Sequence, residues 1–350
     1  MKIVSLIAIF CAFTFVARAQ VAAPGAPPTG GGRGGAPAAS NEQVGVDIDR
    51  FIGYPEDHTV HLSHGTLLTH SILRAGNPYE PGAQGAVLEY RKELVTATLL
   101  PNSRTPISTL PDEYFFYVKS GTGRLDDGKQ SWDLREGIAV LAPPNVPHRF
   151  INTSDKPLSM IMLAWTGGPN VHNELIVRDV NLIPWCEENA HWNNTSRCVF
   201  SAADGLIQGE RIYLVMLQPW AASQPHNHTP GTEEIWTKVT PGVATILLGS
   251  ELREMPQDSA YLVPPNGITD HSNLNLSKDR VEWWIYVARG PAQVAGRGSS
   301  GAAANAAATP AVGGPAVAVG GGGRGGGRGP ANPNLSRDMG EATVPGKPLN

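Results

Sequence analysis

An internal duplication constrains the fold of this chain more than any other feature of its sequence. Residues 111–121, PDEYFFYVKSG, align without a gap on residues 232–242, TEEIWTKVTPG, and this alignment sets Glu113 against Glu234. Both segments have an acidic residue, an apolar strand pattern and a closing glycine in the same order. A repeat of one supersecondary unit indicates a fold that uses the unit more than once. The chain is therefore predicted to contain two copies of one β module.

A second pair of segments extends the duplication. APPNVPHRFIN aligns on VPPNGITDHSNLN if two residues are inserted before His271. The alignment then sets His148 against His271 and Asn152 against Asn275. Each copy therefore continues with a Pro-Pro-Asn turn that precedes a histidine and an asparagine.

The region between residues 45 and 290 has the pattern of an all-β fold. Short apolar and aromatic runs are separated by Gly, Pro, Asn and Asp, as in RIYLVMLQPW, TKVTPGVATILLGS and VEWWIYVARG. Runs of this kind and spacing are typical of β-sandwiches and β-barrels. No long stretch has the 3.6-residue period and the caps of a helix. We therefore expect a core that is mostly β.

The two ends of the chain differ from this core in composition. Residues 20–44 and 291–350 are dominated by Gly, Ala and Pro with scattered Arg. Such segments bury too little apolar surface to offset the entropy of ordering, so we expect them to be disordered linkers. Residues 1–19, MKIVSLIAIFCAFTFVARA, have the charged start, short apolar run and small residues of a secretory signal. The mature protein is expected to be secreted or periplasmic, without membrane insertion after signal cleavage.

Two cysteines, Cys186 and Cys198, remain after the expected cleavage. In an oxidising compartment, a pair that closes a short loop is most simply a disulfide. A two-cysteine metal site with His191 as a third ligand is the alternative, but the spacing matches none of the common zinc patterns. We therefore predict a disulfide.

Charge and missing motifs exclude several classes of function. The formal net charge of -4 gives little support for a nucleic-acid partner. The sequence has no Gly-x-Ser-x-Gly elbow, phosphate-binding loop or dinucleotide fingerprint in a strand-to-helix context. Serine hydrolase, kinase and dehydrogenase functions are therefore not expected.

The segment SQPHNHTPGTEEIW carries a predicted metal site. His226 and His228 are two residues apart, so on a strand their side chains point to the same face. With a carboxylate from the next strand and His271 from a later one, they would supply three nitrogen ligands and one oxygen ligand. This set suits Fe, Mn, Ni, Cu or Zn as a divalent ion and does not select among them. The alternative is a hydrophilic turn, with His271 at the surface.

These motifs resemble those of the cupin family, and the two ordered copies resemble a two-domain bicupin. The first cupin motif contains His-x-His, a glutamate and a glycine, and the second contains Pro-x-Gly, a histidine and an asparagine. The positions that follow them are His226, His228, an acidic residue and Gly242, then Pro265, Gly267, His271 and Asn275. The resemblance implies two tandem jelly-roll barrels and a divalent transition metal in the second barrel.

Glu233 and Glu234 are both candidates for the carboxylate ligand. The usual motif spacing from His228 favours Glu233, whereas the duplication favours Glu234, which aligns with Glu113 and precedes the strand IWTKV. We predict Glu234 as the ligand. Glu233 is then the candidate general acid or base, and it would need hydrogen-bond reach to the substrate.

The first copy lacks part of this set. The alignment gives Thr105 and Ile107 where the second copy has its two histidines, so the N-terminal barrel is expected to be metal-free. His148 is then expected to be a hydrogen-bonded pocket residue or a structural residue. Four further histidines are expected to be surface or hydrogen-bonded residues near the edge of this barrel: His58, His61, His64 and His70.

The resemblance also sets the expected order of domains. That order is signal peptide 1–19, low-complexity linker 20–44, degenerate N-terminal barrel 45–170, cysteine-containing connection 171–205, metal-binding C-terminal barrel 206–290 and flexible tail 291–350.

Bicupins imply a metal-dependent enzyme that acts on a small oxygenated molecule, with dioxygenase, oxalate oxidase or decarboxylase, and sugar-acid isomerase or lyase chemistry as the classes. Trp236, Tyr261 and Asn275 are the predicted pocket residues. The alternative is a non-catalytic bicupin that binds a carbohydrate or metabolite or serves a structural role. A homodimer is a further expectation that rests on the resemblance alone.

Overall fold

Antiparallel β-strands make up almost all of the regular secondary structure in the described residues, as the sequence predicts. The computed structural model describes residues 46–167, 172–186, 194–207, 209–290 and 342–349. The expected signal peptide and first linker lie outside these residues, as does most of the tail. In the described ranges the helices are short 3-10 turns at Ile48–Phe51, Pro55–Asp57, Val180–Leu182 and Ala202–Asp204. No helix among the described residues has the length and apolar character needed to cross a bilayer.

The strands are numbered in chain order. They are β1 (Ile52–Gly53), β2 (Val60–Ser63), β3 (Leu67–Ala75), β4 (Ala86–Leu88), β5 (Glu93–Leu99), β6 (Ser103–Arg104), β7 (Glu113–Ser120), β8 (Thr122–Asp126), β9 (Gln130–Arg135), β10 (Ile138–Ala142), β11 (Arg149–Asn152), β12 (Leu158–Trp165), β13 (Ile176–Asp179), β14 (Trp185–Cys186), β15 (Asn194–Ser201), β16 (Arg211–Leu217), β17 (Ala221–Ala222), β18 (Glu233–Lys238), β19 (Ala244–Leu248), β20 (Glu251–Met255), β21 (Ala260–Val263), β22 (His271–Asn275), β23 (Glu282–Arg289) and β24 (Lys347–Pro348).

These strands form two tandem jelly-roll barrels, each made from a large and a small sheet. The large sheet of the first barrel has the order β13-β10-β7-β12-β5-β3-β2, with β4 paired to β3, and its small sheet has the order β24-β9-β8-β11-β6. The second barrel has a large sheet in the order β1-β21-β18-β23-β16-β15-β14 and a small sheet in the order β17-β22-β19-β20. The corresponding central strands of the two large sheets are β10-β7-β12-β5 and β21-β18-β23-β16.

Strand β12 shows how the barrels pack together. Met160 and Met162 point into the core of the first barrel. Ile161 and Leu163, which alternate with them, belong to the hydrophobic cluster that also contains the core of the second barrel. A strand that is covered on both faces has an unbroken apolar sequence. This explains the run LSMIMLAW and shows that the two barrels bury a common apolar interface.

Both ends of the described chain pair with the barrel that is distant in sequence. Near the N-terminus, β1 pairs with β21 of the second barrel. Near the C-terminus, β24 pairs with β9 of the first barrel, and Trp132 Nε1 donates a hydrogen bond to the Val344 carbonyl at 3.0 Å. The segment 342–349 of the expected flexible tail is therefore held on the first barrel.

The predicted disulfide is confirmed. Cys186 in β14 is bonded to Cys198 in β15, with a Cα–Cα distance of 6.0 Å. Because the bond consumes both thiols, the alternative two-cysteine metal site is wrong.

Strand pairing corrects the alignment of the duplication by one residue in β7 and β18. Tyr114 pairs with Ala142 and Ala164, while Glu234 pairs with Val263 and Ala288 in the same places of the second sheet. Tyr114 is therefore the counterpart of Glu234, and the expected match with Glu113 is wrong. The turn that leads to Gly242 is one residue longer than the turn that leads to Gly121, and a gapless alignment anchored on these glycines shifts the preceding strand.

The predicted correspondence of Asn152 and Asn275 in the two copies is confirmed. The Asn152 side-chain amide donates to the carbonyls of Leu99 and Lys156, and its oxygen accepts from Ser154. Asn275 makes the same bonds in the second barrel, to Leu217, Arg280 and Ser277. Each asparagine fixes the turn between two strands.

Candidate metal centre

Four side chains of the second barrel meet at one point. One nitrogen or oxygen atom from each of His226, His228, Glu234 and His271 lies within 4.8 Å of the others. His228 Nε2 is 3.0 Å from His271 Nε2 and 2.8 Å from Glu234 Oε2. His271 Nε2 is 3.1 Å from Glu234 Oε1. Three imidazoles and one carboxylate therefore converge.

The backbone explains why residues so distant in sequence meet. His226 and His271 form an antiparallel bridge, with N–O distances of 3.2 and 2.9 Å, and directly paired residues point to one side. His228 follows two residues later and returns to the same side, with its ring centroid 4.7 Å from that of His226. Glu234 reaches the cluster from β18 in the opposite sheet.

Hydrogen bonds behind two of the rings fix their tautomers. The His226 Nδ1–H donates to the Gln224 carbonyl at 2.7 Å, since a carbonyl only accepts. The Tyr261 hydroxyl donates to Asn273 Oδ1 at 3.0 Å, so it accepts from His271 Nδ1–H at 3.3 Å. Both Nε2 atoms then face the cluster and can offer a lone pair to an ion when they are unprotonated. Ligating histidines commonly donate their other N–H in this way.

Donors also surround the Glu234 carboxylate. Trp236 Nε1 donates to Oε1 at 2.7 Å, and the Tyr286 hydroxyl donates to Oε2 at 3.2 Å. Burial opposes ionisation, yet the neighbouring His271 and His228 hold the pKa of the Glu234 carboxyl well below its usual value. Burial and the Glu234 charge raise the pKa of Tyr286, so its hydroxyl keeps its proton and remains a donor.

The donor set fits a divalent transition metal. Two ligand atoms that lie about 2.1 Å from one ion, at about a right angle, are about 3 Å apart. The three separations among His228, Glu234 and His271 are close to this value. Imidazole nitrogens with one carboxylate oxygen suit Fe, Mn, Ni, Cu or Zn. Glu234 and His271 are buried, whereas the His228 side chain is 21% exposed, so the cluster can be reached from solvent.

Two predicted site residues have other positions. Glu233 points away from the cluster, as expected for the neighbour of Glu234 on a strand. Its carboxylate accepts from the backbone N–H groups of Glu89 and Tyr90 and from the Arg91 guanidinium. These contacts join the two barrels, so the expected acid–base role of Glu233 does not fit its position.

Asn275 is the second of these residues. Its amide is fully engaged in the turn that follows β22, so the expected pocket role does not fit. Trp236 and Tyr261 do lie at the cluster, where they hydrogen-bond Glu234 and His271 from behind. Sequence reasoning missed Tyr286, although it stands in the aromatic run of β23.

The corresponding part of the first barrel carries different chemistry. Ser108 bridges to His148 as His226 bridges to His271, so Ser108, and not Thr105, occupies the position of the first histidine. His148 Nδ1 donates to the Val146 carbonyl at 2.9 Å. This bond fits both predicted roles of His148, as a hydrogen-bonded pocket residue or as a structural residue.

One of the four histidines near the start of the first barrel has an unexpected position. His64 is buried inside the barrel, with its ring centroid 5.2 Å from that of His148. Burial and the neighbouring His148 lower the pKa of His64 to about 3, so the ring is neutral. His64 has a left-handed φ of 47° in the turn before β3. Strand alternation does not apply in such a turn, so it does not predict that the His64 side chain points into the barrel.

Comparisons with known proteins agree with this fold. Residues 95–164, which run from β5 to β12, match the Cupin domain family. AerE from Microcystis aeruginosa is 14% identical with a TM-score of 0.52, over 69% of this chain and 100% of that chain. An oxalate decarboxylase variant from Bacillus subtilis is 11% identical with a TM-score of 0.52, over 71% of this chain and 78% of that chain. No curated protein sequence matches significantly. The family match therefore shows a cupin domain at residues 95–164, and the paired jelly-roll barrels show that the described chain has the two-domain cupin fold.

Proposed function

We propose that the protein is a metal-dependent enzyme whose second barrel binds one divalent transition metal through His226, His228, Glu234 and His271. The observation that carries the proposal is the convergence of the His228 and His271 Nε2 atoms on the Glu234 carboxylate, at 2.8–3.1 Å. Charged and polar groups are costly to gather in a barrel interior unless they are paired or bind an ion. The proposed substrate is a small oxygenated molecule.

The residues around the ligands have defined tasks in this proposal. Tyr261 orients His271, and Trp236 and Tyr286 orient Glu234 and keep it ionised. These three aromatic residues are buried, and in this proposal they exclude water from the side of the cluster that faces the barrel interior. A bound metal would act there as a Lewis acid or support dioxygen chemistry. The proposed classes are dioxygenase, oxalate oxidase or decarboxylase, and sugar-acid isomerase or lyase.

Export is part of the same proposal. The disulfide between Cys186 and Cys198 supports it, because disulfides persist mainly in oxidising compartments. The signal that would direct export lies outside the described residues. We therefore propose a secreted or periplasmic location for the enzyme.

Metal content tests the proposal directly. Mature protein purified without a histidine tag should contain close to one equivalent of Fe, Mn, Ni, Cu or Zn by mass spectrometry. The double variant His226→Ala/His228→Ala should lose it, whereas His148→Ala in the first barrel should retain it. A wild type that takes up no metal after incubation with each ion would refute the proposal. Bound metal without an exchangeable water position would favour a non-catalytic binding protein instead.

A further inference from the structure

A row of paired residues places an arginine beside the candidate metal centre. Arg211 pairs with Ala288, and Ala288 pairs with Glu234. Directly paired residues of neighbouring strands point to the same side of a sheet. Arg211 therefore projects on the side of Glu234, and between them in this row stands only the methyl group of Ala288.

Hydrogen bonds confirm that Arg211 reaches toward the centre. Its Nη2 and Nε atoms donate to the Tyr286 hydroxyl at 2.9 and 3.3 Å, and that hydroxyl donates to Glu234 Oε2 at 3.2 Å. One hydroxyl therefore separates the guanidinium from the carboxylate. Arg211 as a whole residue is exposed, whereas Tyr286 and Glu234 are buried, so this row of residues runs from the surface at Arg211 to the buried carboxylate.

The charge of this row differs between the two barrels. In the first barrel, Glu93 pairs with Ala164 as Arg211 pairs with Ala288. The barrel with the candidate centre thus has a cation at the position where the other barrel has an acid. A divalent ion with one carboxylate ligand, together with Arg211, would give this entrance a net positive charge. Such an entrance attracts anions.

We propose that Arg211 is the substrate-anchoring residue and that the substrate is a small carboxylic acid with a second oxygen close to its carboxylate. The carboxylate would pair with the guanidinium while the second oxygen faces the metal ligands. Arginine has five N–H donors in a planar fork that matches a carboxylate. The bonds to Tyr286 engage its Nε and one Nη2 proton, and no acceptor among the described residues binds Nη1, so that side is open to such a pair. This inference rests on the proposed metal site.

The same contacts allow a second interpretation, in which Arg211 serves only to hold Tyr286. The two interpretations differ in their dependence on ligand charge. A positioning role would weaken acids and their neutral amides equally, and Tyr286→Phe would reproduce the effect. An anchoring role affects the acids alone.

Binding of oxalate and glycolate, with oxamide and glycolamide as neutral analogues, separates the two interpretations. Titrations would use Mn(II)-loaded wild type, Arg211→Gln, Arg211→Lys and Tyr286→Phe at constant ionic strength, with metal content measured for each sample. Arg211→Gln should bind the acids about 10- to 100-fold more weakly while its metal content and its binding of the amides stay unchanged. Arg211→Lys should retain part of the affinity, and it also tests the inference should the glutamine variant fold poorly.

The matched control is Glu93→Gln, at the corresponding position of the first barrel, which should leave acid binding unchanged. Acid binding by Arg211→Gln equal to that of the wild type, or no acid binding by metal-loaded wild type, would overturn the inference. Equal weakening of acids and amides would overturn it in favour of positioning. Absence of metal from the wild type would refute the metal site itself, and the metal analysis reports that outcome separately.

Discussion

The two barrels have the same strand order in their large sheets, but polar aromatic side chains line the interior of the second barrel and apolar side chains fill the first. Two residues along each strand from the row of Arg211 and Glu234, the second barrel has four paired aromatic residues: Tyr213, Tyr286, Trp236 and Tyr261. The corresponding paired residues of the first barrel are Val95, Met162, Phe116 and Val140. Hydroxyl and indole donors satisfy a buried carboxylate, and an apolar layer does not. The backbone of a jelly roll therefore permits a metal centre without specifying one.

A second comparison concerns Glu113 and Glu233, which occupy corresponding positions on β7 and β18. Glu233 is held by Arg91, which also contacts Glu210 at 2.6 Å. Glu113 is equally buried, but among the described residues it has no cationic partner within salt-bridge distance. Burial and the nearby Glu210 charge raise the pKa of Glu113 to about 8. Glu233 therefore joins the barrels through Arg91, while the Glu113 carboxyl remains protonated near neutral pH.

The largest expected effect comes from breaking the buried ion cluster. Glu233→Gln removes a carboxylate that binds Arg91 and two backbone N–H groups. The variant leaves Arg91 paired with Glu210 but deprives three donors of a charged acceptor. Each such hydrogen bond contributes about 1.5–3 kcal/mol, so a loss of about 3–5 kcal/mol is expected. Urea unfolding followed by tryptophan fluorescence should show this loss, with the metal content per folded molecule unchanged. A variant as stable as the wild type would mean that Glu233 does not join the barrels.

The second prediction concerns Glu234, the carboxylate at the candidate centre. Glu234→Gln should lower metal affinity by at least about 100-fold, the upper end of what changes outside the ligand shell cause. Competition with a chelator measures the effect. Tyr114→Phe, at the corresponding position of the first barrel, should leave the affinity unchanged. Equal affinities for wild type and Glu234→Gln would exclude Glu234 as a ligand.

Glu113 should make the stability of the protein depend on pH. Its folded-state pKa of about 8 is above the ordinary value of 4.5, so the folded state binds the extra proton. The stability that this proton confers is complete below pH 4.5 and is lost as the pH rises through about 8. Glu113→Gln should remove this dependence, so its stability relative to the wild type should rise by about 3 kcal/mol between pH 5.5 and pH 8. Unfolding of metal-free protein at pH 5.5 and 8 provides the measurement, and parallel curves for both proteins would contradict the prediction.

The smallest expected effect belongs to the hydroxyl behind His271. Tyr261→Phe removes the acceptor of the His271 Nδ1–H and should weaken metal binding about tenfold. The same chelator competition applies. The corresponding first-barrel residue is Val140, which has no hydroxyl to remove, so Val140→Ala serves as a control for packing changes. An unchanged affinity in Tyr261→Phe would show that packing alone orients His271.

Much of the fold and the cluster could be predicted from the sequence because they depend on local patterns. Alternation and turn residues predict the strands, the repeated order of motifs predicts two modules, and the pair Cys186 and Cys198 predicts the disulfide that the structure contains. The spacing of His226 and His228 also places both rings on one side. These features depend on residues that are close in sequence or on an order that the repeat makes visible.

Only the tertiary structure decided which of Glu233 and Glu234 lies beside the histidines and which residues each of them contacts. One residue separates Glu233 from Glu234, but strand alternation sends the first to the barrel interface and the second to the histidines. The sequence alignment favoured Glu234 because it set this residue against Glu113. Strand pairing shows that Tyr114 is the counterpart, because the longer turn before Gly242 shifts a gapless alignment by one residue.

The pairing of Arg211 with Ala288 and Glu234 is equally invisible in the sequence. Side-chain identity and strand pattern are local properties, whereas register is set by long-range hydrogen bonds and packing, and a shift of one residue moves every side chain to the other face.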